Sequence, residues 1–231
     1  IPKAGREAFG ALLAGRFVGR QSLMSELRDF LPSGDNRPGH IIATLSGPPG
    51  IGKSRLIHEI KIHAQFHDVP FLHAACQQGG EAGIRCFERI VREALTLNSS
   101  ADTQRLMRQY KNSFRALFPG LLGESQNFSS ARPIQPESPQ KHLDQVARCL
   151  IEIAETTPFL IALEDLQWID ETSLGLLCAL IRNMTAAFNS KALPQVLLTH
   201  RAEEARGLDT VYELLSKFSQ LVIQIRAMLL I

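Results

Sequence analysis

The sequence predicts an α/β fold in which a central, mostly parallel sheet carries helices on both faces, a three-layer sandwich. Three observations point there. Short apolar runs alternate with amphipathic stretches along most of the chain. The runs are continuously apolar rather than alternating, as expected of strands buried on both sides. A glycine-rich loop joins the first run to the helical stretch behind it, a junction whose backbone suits an anion.

Taken in order, Ser22 is placed as the N-cap of a helix reaching Leu31, with Leu23, Leu27, Phe30 and Leu31 on one face. Residues 32–39, rich in Pro and Gly, read as a loop. Residues 41–45 form the first strand, and 53–66 a helix whose Leu56, Ile57 and Ile60 keep helical spacing. A second strand is expected over 70–75, then helices over 84–97 and 103–117. Residues 119–140, with four prolines, read as a long loop or insertion. An amphipathic helix over 142–155 leads to a buried strand over 159–163. Helix 172–188, strand 195–199, a mostly helical stretch 202–218 and a last strand over 221–223 complete the pattern. No internal repeat is visible.

Bulk composition narrows the function less than the motifs do. The 231 residues suffice for one substantial core, and residues 1–231 are read as a single domain. Hydrophobic content of 45% and charged content of 21% are globular values, and a net charge of +2 gives no argument for nucleic acid or an anionic membrane. Cys76, Cys86, Cys149 and Cys178 show no metal-binding spacing, so reduced, mostly buried thiols in a cytoplasmic protein are expected. The apolar stretch 221–231 is interrupted by Gln224 and Arg226 and is too short to span a bilayer. The chain starts at Ile1 and stops inside an apolar run, so it is read as a segment of a longer protein.

Gly47-Pro48-Pro49-Gly50-Ile51-Gly52-Lys53-Ser54 fits the pattern GxxxxGK[ST]. The glycines let the backbone curl so that successive N–H groups face an anion, and the helix starting through Lys53, Ser54 and Arg55 adds its positive end. Lys53 supplies a cation for β- and γ-phosphates, and the Ser54 hydroxyl can ligate Mg²⁺. Pro48 and Pro49 stiffen the turn where no N–H is required. Because the string lies between an apolar strand and an amphipathic helix, it predicts a P-loop NTPase holding Mg-ATP.

Such a site also needs carboxylates for the metal and for the attacking water. Glu164-Asp165 follows strand 159–163 at its carboxyl end, the edge where open α/β sheets bind ligands. By position Glu164 takes the metal and Asp165 the water, although their closeness allows the reverse. Asp170 reads as the N-cap of the next helix. His200 carries no signal of its own.

Glu164-Asp165-Leu166-Gln167-Trp168-Ile169-Asp170, with Ser173-Leu174 and Leu176-Leu177 behind it, resembles the signalling ATPase modules of the STAND and AAA-like class. Arg16-Phe17-Val18-Gly19-Arg20 resembles that family's adenine-contacting segment, and Thr199-His200-Arg201-Ala202-Glu203-Glu204 its element after the fourth strand. The resemblance spans about residues 16–225. It implies that Phe17 and Val18 touch adenine and that Arg201 senses the γ-phosphate. From the residues alone, Phe17 and Val18 could equally pack on the first helix, and Arg201 could pair with Glu203 or Glu204. Trp168 is expected to act as a wedge behind the acidic pair, its indole N–H bonded to backbone. Two departures stand out: Glu164 occupies a position where many relatives carry Asp, and the helical lid that normally follows is expected to be missing.

The resemblance implies a slowly hydrolysing ATPase switch in a multidomain signalling or transcriptional regulator. ATP and ADP, effector domains outside the segment, and nucleotide-dependent self-association are the expected partners; membrane and direct nucleic-acid contact are not. A nucleotide-stabilised scaffold with little hydrolysis is the alternative. A small-molecule kinase fits less well, because neither an acceptor site nor an Arg-rich lid can be found.

Overall fold

The structure is a computed structural model, and it describes residues 21–31, 41–77, 85–122, 138–188, 192–201, 203, 208–219 and 222–226. Five strands, β1 (Ile42–Ser46), β2 (Phe71–Ala75), β3 (Leu160–Glu164), β4 (Gln195–His200) and β5 (Val222–Arg226), form one sheet in the order β2-β3-β4-β1-β5. Every pairing is parallel. The carboxyl ends of all five strands therefore lie along one edge, and the expected α/β architecture is present.

Alternation of side chains along each strand divides the core in two. Ala43, Leu45, Leu160, Ala162 and Leu197 face α1 (Gln21–Phe30) and α2 (Lys53–Phe66), where Leu27, Phe30, Leu56 and Ile60 are buried. Ile42, Leu72, Ile161, Leu163, Val196 and Leu198 face the other side. That side is covered by α3 (Arg85–Leu95), α4 (Ser100–Gln109), α5 (Lys111–Leu117), α6 (Pro139–Thr156), α7 (Glu171–Ala187) and α8 (Asp209–Lys217). A buried Gln195 side chain donates its amide to the Phe30 carbonyl, tying the end of α1 to the start of β4.

Two segments differ most from expectation. The helix expected over 103–117 is two helices that meet at Tyr110, whose φ of −102° and ψ of 13° leave the helical ladder. Apolar spacing runs unbroken through Leu106, Tyr110 and Phe114, so it hides the joint. Tyr110 is anchored there by its hydroxyl, which donates to Glu152 on α6 at 2.8 Å. Secondly, the segment expected as loop over 119–140 starts with a 3-10 turn at Pro119–Leu122, and α6 already begins at Pro139. Proline suits the first turn of a helix, where no N–H has to be donated; residues 123–137 lie outside the described residues. Within the stretch expected to be mostly helical over 202–218, helix α8 spans Asp209–Lys217, and residues 202 and 204–207 lie outside the described residues.

Candidate functional site

The loop after β1 takes the shape that its glycines allow. Gly50 has φ +73° and Gly52 φ +94°, a region that side chains with a Cβ rarely enter. A Cβ at Gly50 would meet nothing within 4 Å, so the need for glycine there is conformational, not steric. Gly52 caps this 14-residue helix α2 without any side-chain hydrogen bond of its own. Lys53 is 8% exposed, and its Nζ donates to the carbonyls of Gly47 at 2.8 Å and Pro48 at 3.1 Å. The loop thus wraps a buried ammonium, the arrangement that receives phosphate oxygens.

Glu164 ends β3 on the face turned to α2. It is 8% exposed, and His73 of β2 donates from Nε2 to its Oε1 at 2.7 Å. Burial pushes the Glu164 carboxyl up, but the hydrogen bonds from His73 and Ser54 and the electrostatic influence of His73 and Lys53 outweigh it. The carboxyl is held below its ordinary value and is ionised at neutral pH. Ser54, Lys53 and Glu164 therefore meet at one point, two from the loop and one from the acid strand. A serine hydroxyl and one carboxylate fit Mg²⁺, which keeps several waters and takes its remaining ligands from phosphates.

Asp165 points elsewhere. Its backbone is left-handed, φ 55° and ψ 47°, which separates its side chain from that of Glu164. Such a conformation is uncommon outside glycine, and aspartate is among the residues that tolerate it. Two side chains hold it directly, and a third residue acts through one of them. The Asp165 N–H donates to Thr199 Oγ1 at 3.3 Å, and Gln167 Nε2 donates to Asp165 Oδ1 at 3.0 Å. The same Gln167 amide accepts the Arg201 N–H through Oε1 at 3.1 Å. Strand order makes this possible, because β4 lies between β1 and β3 and carries Thr199 and Arg201 to the acidic turn.

Trp168 is not simply a wedge. It lies half-buried with the Arg201 guanidinium over its ring, Cζ 4.6 Å from the centroid, close enough for cation–π attraction. Asp170 caps α7 as expected, accepting from the Ser173 N–H at 2.9 Å. His200 is buried and satisfied; burial pushes its ring below the ordinary value, and it bonds the Tyr212 hydroxyl and the Arg201 carbonyl. Phe17 and Val18, like Glu204, lie outside the described residues.

His73 and Gln167 are the site residues that the motifs did not reveal. His73 is the single polar side chain in Phe71-Leu72-His73-Ala74-Ala75, a signal that a strand reading alone leaves without meaning. Gln167 lay inside a quoted motif, but its bridging role depends on β4.

A parallel sheet with a phosphate-shaped loop after one strand and a buried, ionised acid at the end of another, one strand between them, defines a P-loop nucleotide-binding protein. Residues 16–197 match the AAA ATPase domain, and the chain belongs to that family. It is accordingly a nucleotide-binding ATPase module, of a class that binds ATP with Mg²⁺. No curated protein matches the chain. Among the described residues no helix is long and apolar enough to cross a membrane.

Proposed function

We propose that this module binds Mg-ATP, hydrolyses it slowly, and serves as a regulatory switch for effector domains elsewhere in a longer, cytoplasmic signalling protein. The observation that carries this reading is the convergence of Ser54, Lys53 and Glu164 beside an Asp165 turn held by Thr199, Gln167 and Arg201.

Lys53 would exchange its carbonyl partners for β- and γ-phosphate oxygens, with the backbone of Gly47 through Arg55, Pro48, Pro49 and Ile51 included, forming the cradle. Ser54 and Glu164 would hold Mg²⁺, which when bound neutralises phosphate charge. Glu164 suits the metal because it is ionised and faces Ser54. Asp165 suits the water: Gln167 fixes one carboxylate oxygen, leaving the other to accept a proton from a water in line with the γ-phosphate. Arg201, released from the Trp168 ring, would reach the γ-phosphate and report its presence. Phe17 and Val18 remain the proposed adenine contacts. Loss of the γ-phosphate contacts would then release one conformational state, with self-association as a further consequence of nucleotide.

The test is ATP turnover by the full-length parent, wild type against Glu164→Gln and Asp165→Asn. Binding should largely survive in Asp165→Asn while turnover falls about 10²-fold or more, the scale of a lost general base. Wild-type turnover no faster than buffer, with ATP still bound, would favour the scaffold reading instead.

A further inference from the structure

Consecutive residues at the carboxyl end of β4 hold different parts of the molecule. Thr199 is buried and accepts the Asp165 N–H, while the Arg201 N–H donates to Gln167. His200 lies between them. Side chains alternate along a strand, so His200 continues the face of Val196 and Leu198, which turns to the layer containing α8. It is 5% exposed and packs edge to face against Tyr212 of α8, ring centroids 5.4 Å apart. The Tyr212 hydroxyl bonds Nε2 of His200, and Nδ1 of the same ring lies 3.2 Å from the Arg201 carbonyl oxygen. Neither side chain has a part in the chemistry proposed above.

We infer that His200 and Tyr212 are positioning residues for Arg201. Tyr212 sets the tautomer of His200, and His200 holds the Arg201 carbonyl so that the guanidinium is placed to meet a γ-phosphate. The inference rests on the role proposed for Arg201 above. Donor and acceptor roles allow one arrangement. A carbonyl only accepts, so the Nδ1 facing Arg201 carries the proton. In a neutral ring Nε2 is then the acceptor, and the Tyr212 hydroxyl donates to it. Both groups are in the form this needs. Burial, helped by Lys53, pushes the His200 ring below its ordinary value despite the Arg201 bond, and burial pushes the Tyr212 phenol up.

Arg201 needs such support because it lies one residue past β4, beyond the strand ladder. Gln167 takes its N–H and His200 its carbonyl, so the peptide groups on both sides of its Cα are held. The far end of the chain of bonds is fixed as well. Leu208, Val211 and Leu215 are buried around Tyr212, at 2%, 3% and 1% exposure, and seat α8 in the helical layer. With its backbone held, Arg201 passes from the Trp168 ring, 4.6 Å from Cζ, to a phosphate by side-chain torsions alone. Less freedom is then lost on binding, which favours the ligand that Arg201 touches. Only the γ-phosphate separates ATP from ADP, so the support should appear as a preference for ATP.

The experiment measures Mg-ATP and ADP affinities by calorimetry in the full-length parent and its variants. Arg201→Ala should weaken ATP about tenfold or more with ADP unchanged, the scale of a lost charge-assisted bond. His200→Ala and Tyr212→Phe should weaken ATP about threefold, again with ADP unchanged. His200→Asn, whose amide nitrogen can stand in for Nδ1, should restore the wild-type ratio. Added to Arg201→Ala, His200→Ala should change the ratio no further. Tyr212→Phe keeps the ring packing and removes only the hydroxyl, so its ratio decides the matter if His200→Ala does not fold. A lower melting temperature with an unchanged ratio in these variants, or equal losses of ATP and ADP, would overturn the inference. So would nitrogen NMR of the imidazoles placing the His200 proton on Nε2 in the wild type. If Arg201→Ala itself keeps the wild-type ratio, the role of Arg201 falls and this inference with it. A ratio lost in Arg201→Ala but kept in His200→Ala and Tyr212→Phe overturns the inference alone.

Discussion

Glu164 shows how a single side chain is tuned by its neighbours. Burial alone would favour its neutral form, yet His73, Ser54 and Lys53 together hold it ionised. Because its folded value lies below the unfolded one, its contribution to stability is complete above the ordinary value of 4.5 and fades as pH falls through the folded value. Melting temperature followed from pH 7 downward should therefore drop more steeply in the wild type than in Glu164→Gln; parallel curves would show that the bonds to His73 and Ser54 add nothing. Trp168 offers a second test at this scale. It is the only tryptophan in the chain, and Arg201 lies over its ring. If Arg201 leaves the ring for the γ-phosphate, Trp168 emission should change on adding Mg-ATP and stay constant in Arg201→Ala. An unchanged signal in a wild type that binds nucleotide would remove Arg201 from the site. Here the sequence was informative where the chemistry is local. Gly47 to Ser54 and the Asp170 cap act within a few residues, so their types and spacing reveal them. The partner of Glu164 lies 91 positions away, and no local pattern encodes that distance.

Among the elements, α7 couples packing to the site most directly. Its first turn is capped by Asp170, and the segment before it carries Asp165, Gln167 and Trp168. Asp170→Ala should cost about 1 kcal/mol through the lost cap, lowering the melting temperature by about 2–4 °C in a domain of this size. No measurable change would mean that the Asp170 bond to Ser173 is replaced by water without loss. Strand and helix identities were legible because apolar runs and 3.6-residue spacing are properties of contiguous sequence. The joint at Tyr110 was not, since its apolar spacing continues across the break and the cause is a bond to Glu152 on another helix. Proline at position 139 was read as loop, whereas the first turn of α6 accommodates it.

For the whole molecule, the decisive feature is strand order. With β4 between β1 and β3, the loop, the acid and Arg201 reach one edge from three segments that are far apart in sequence. Periodicity says which residues are strands and which face they bury, but neighbouring strands are chosen by packing between distant segments. For that reason the bridge from Asp165 through Gln167 to Arg201 came only with the structure. The central claim is that this edge forms one triphosphate site with Lys53 at its centre. Calorimetric titration of Mg-ATP into the wild type and Lys53→Ala tests it most directly. The account predicts binding of one nucleotide per wild-type chain and a loss of about tenfold or more in affinity for Lys53→Ala, about 1.4 kcal/mol. Equal affinities in two folded chains would contradict it.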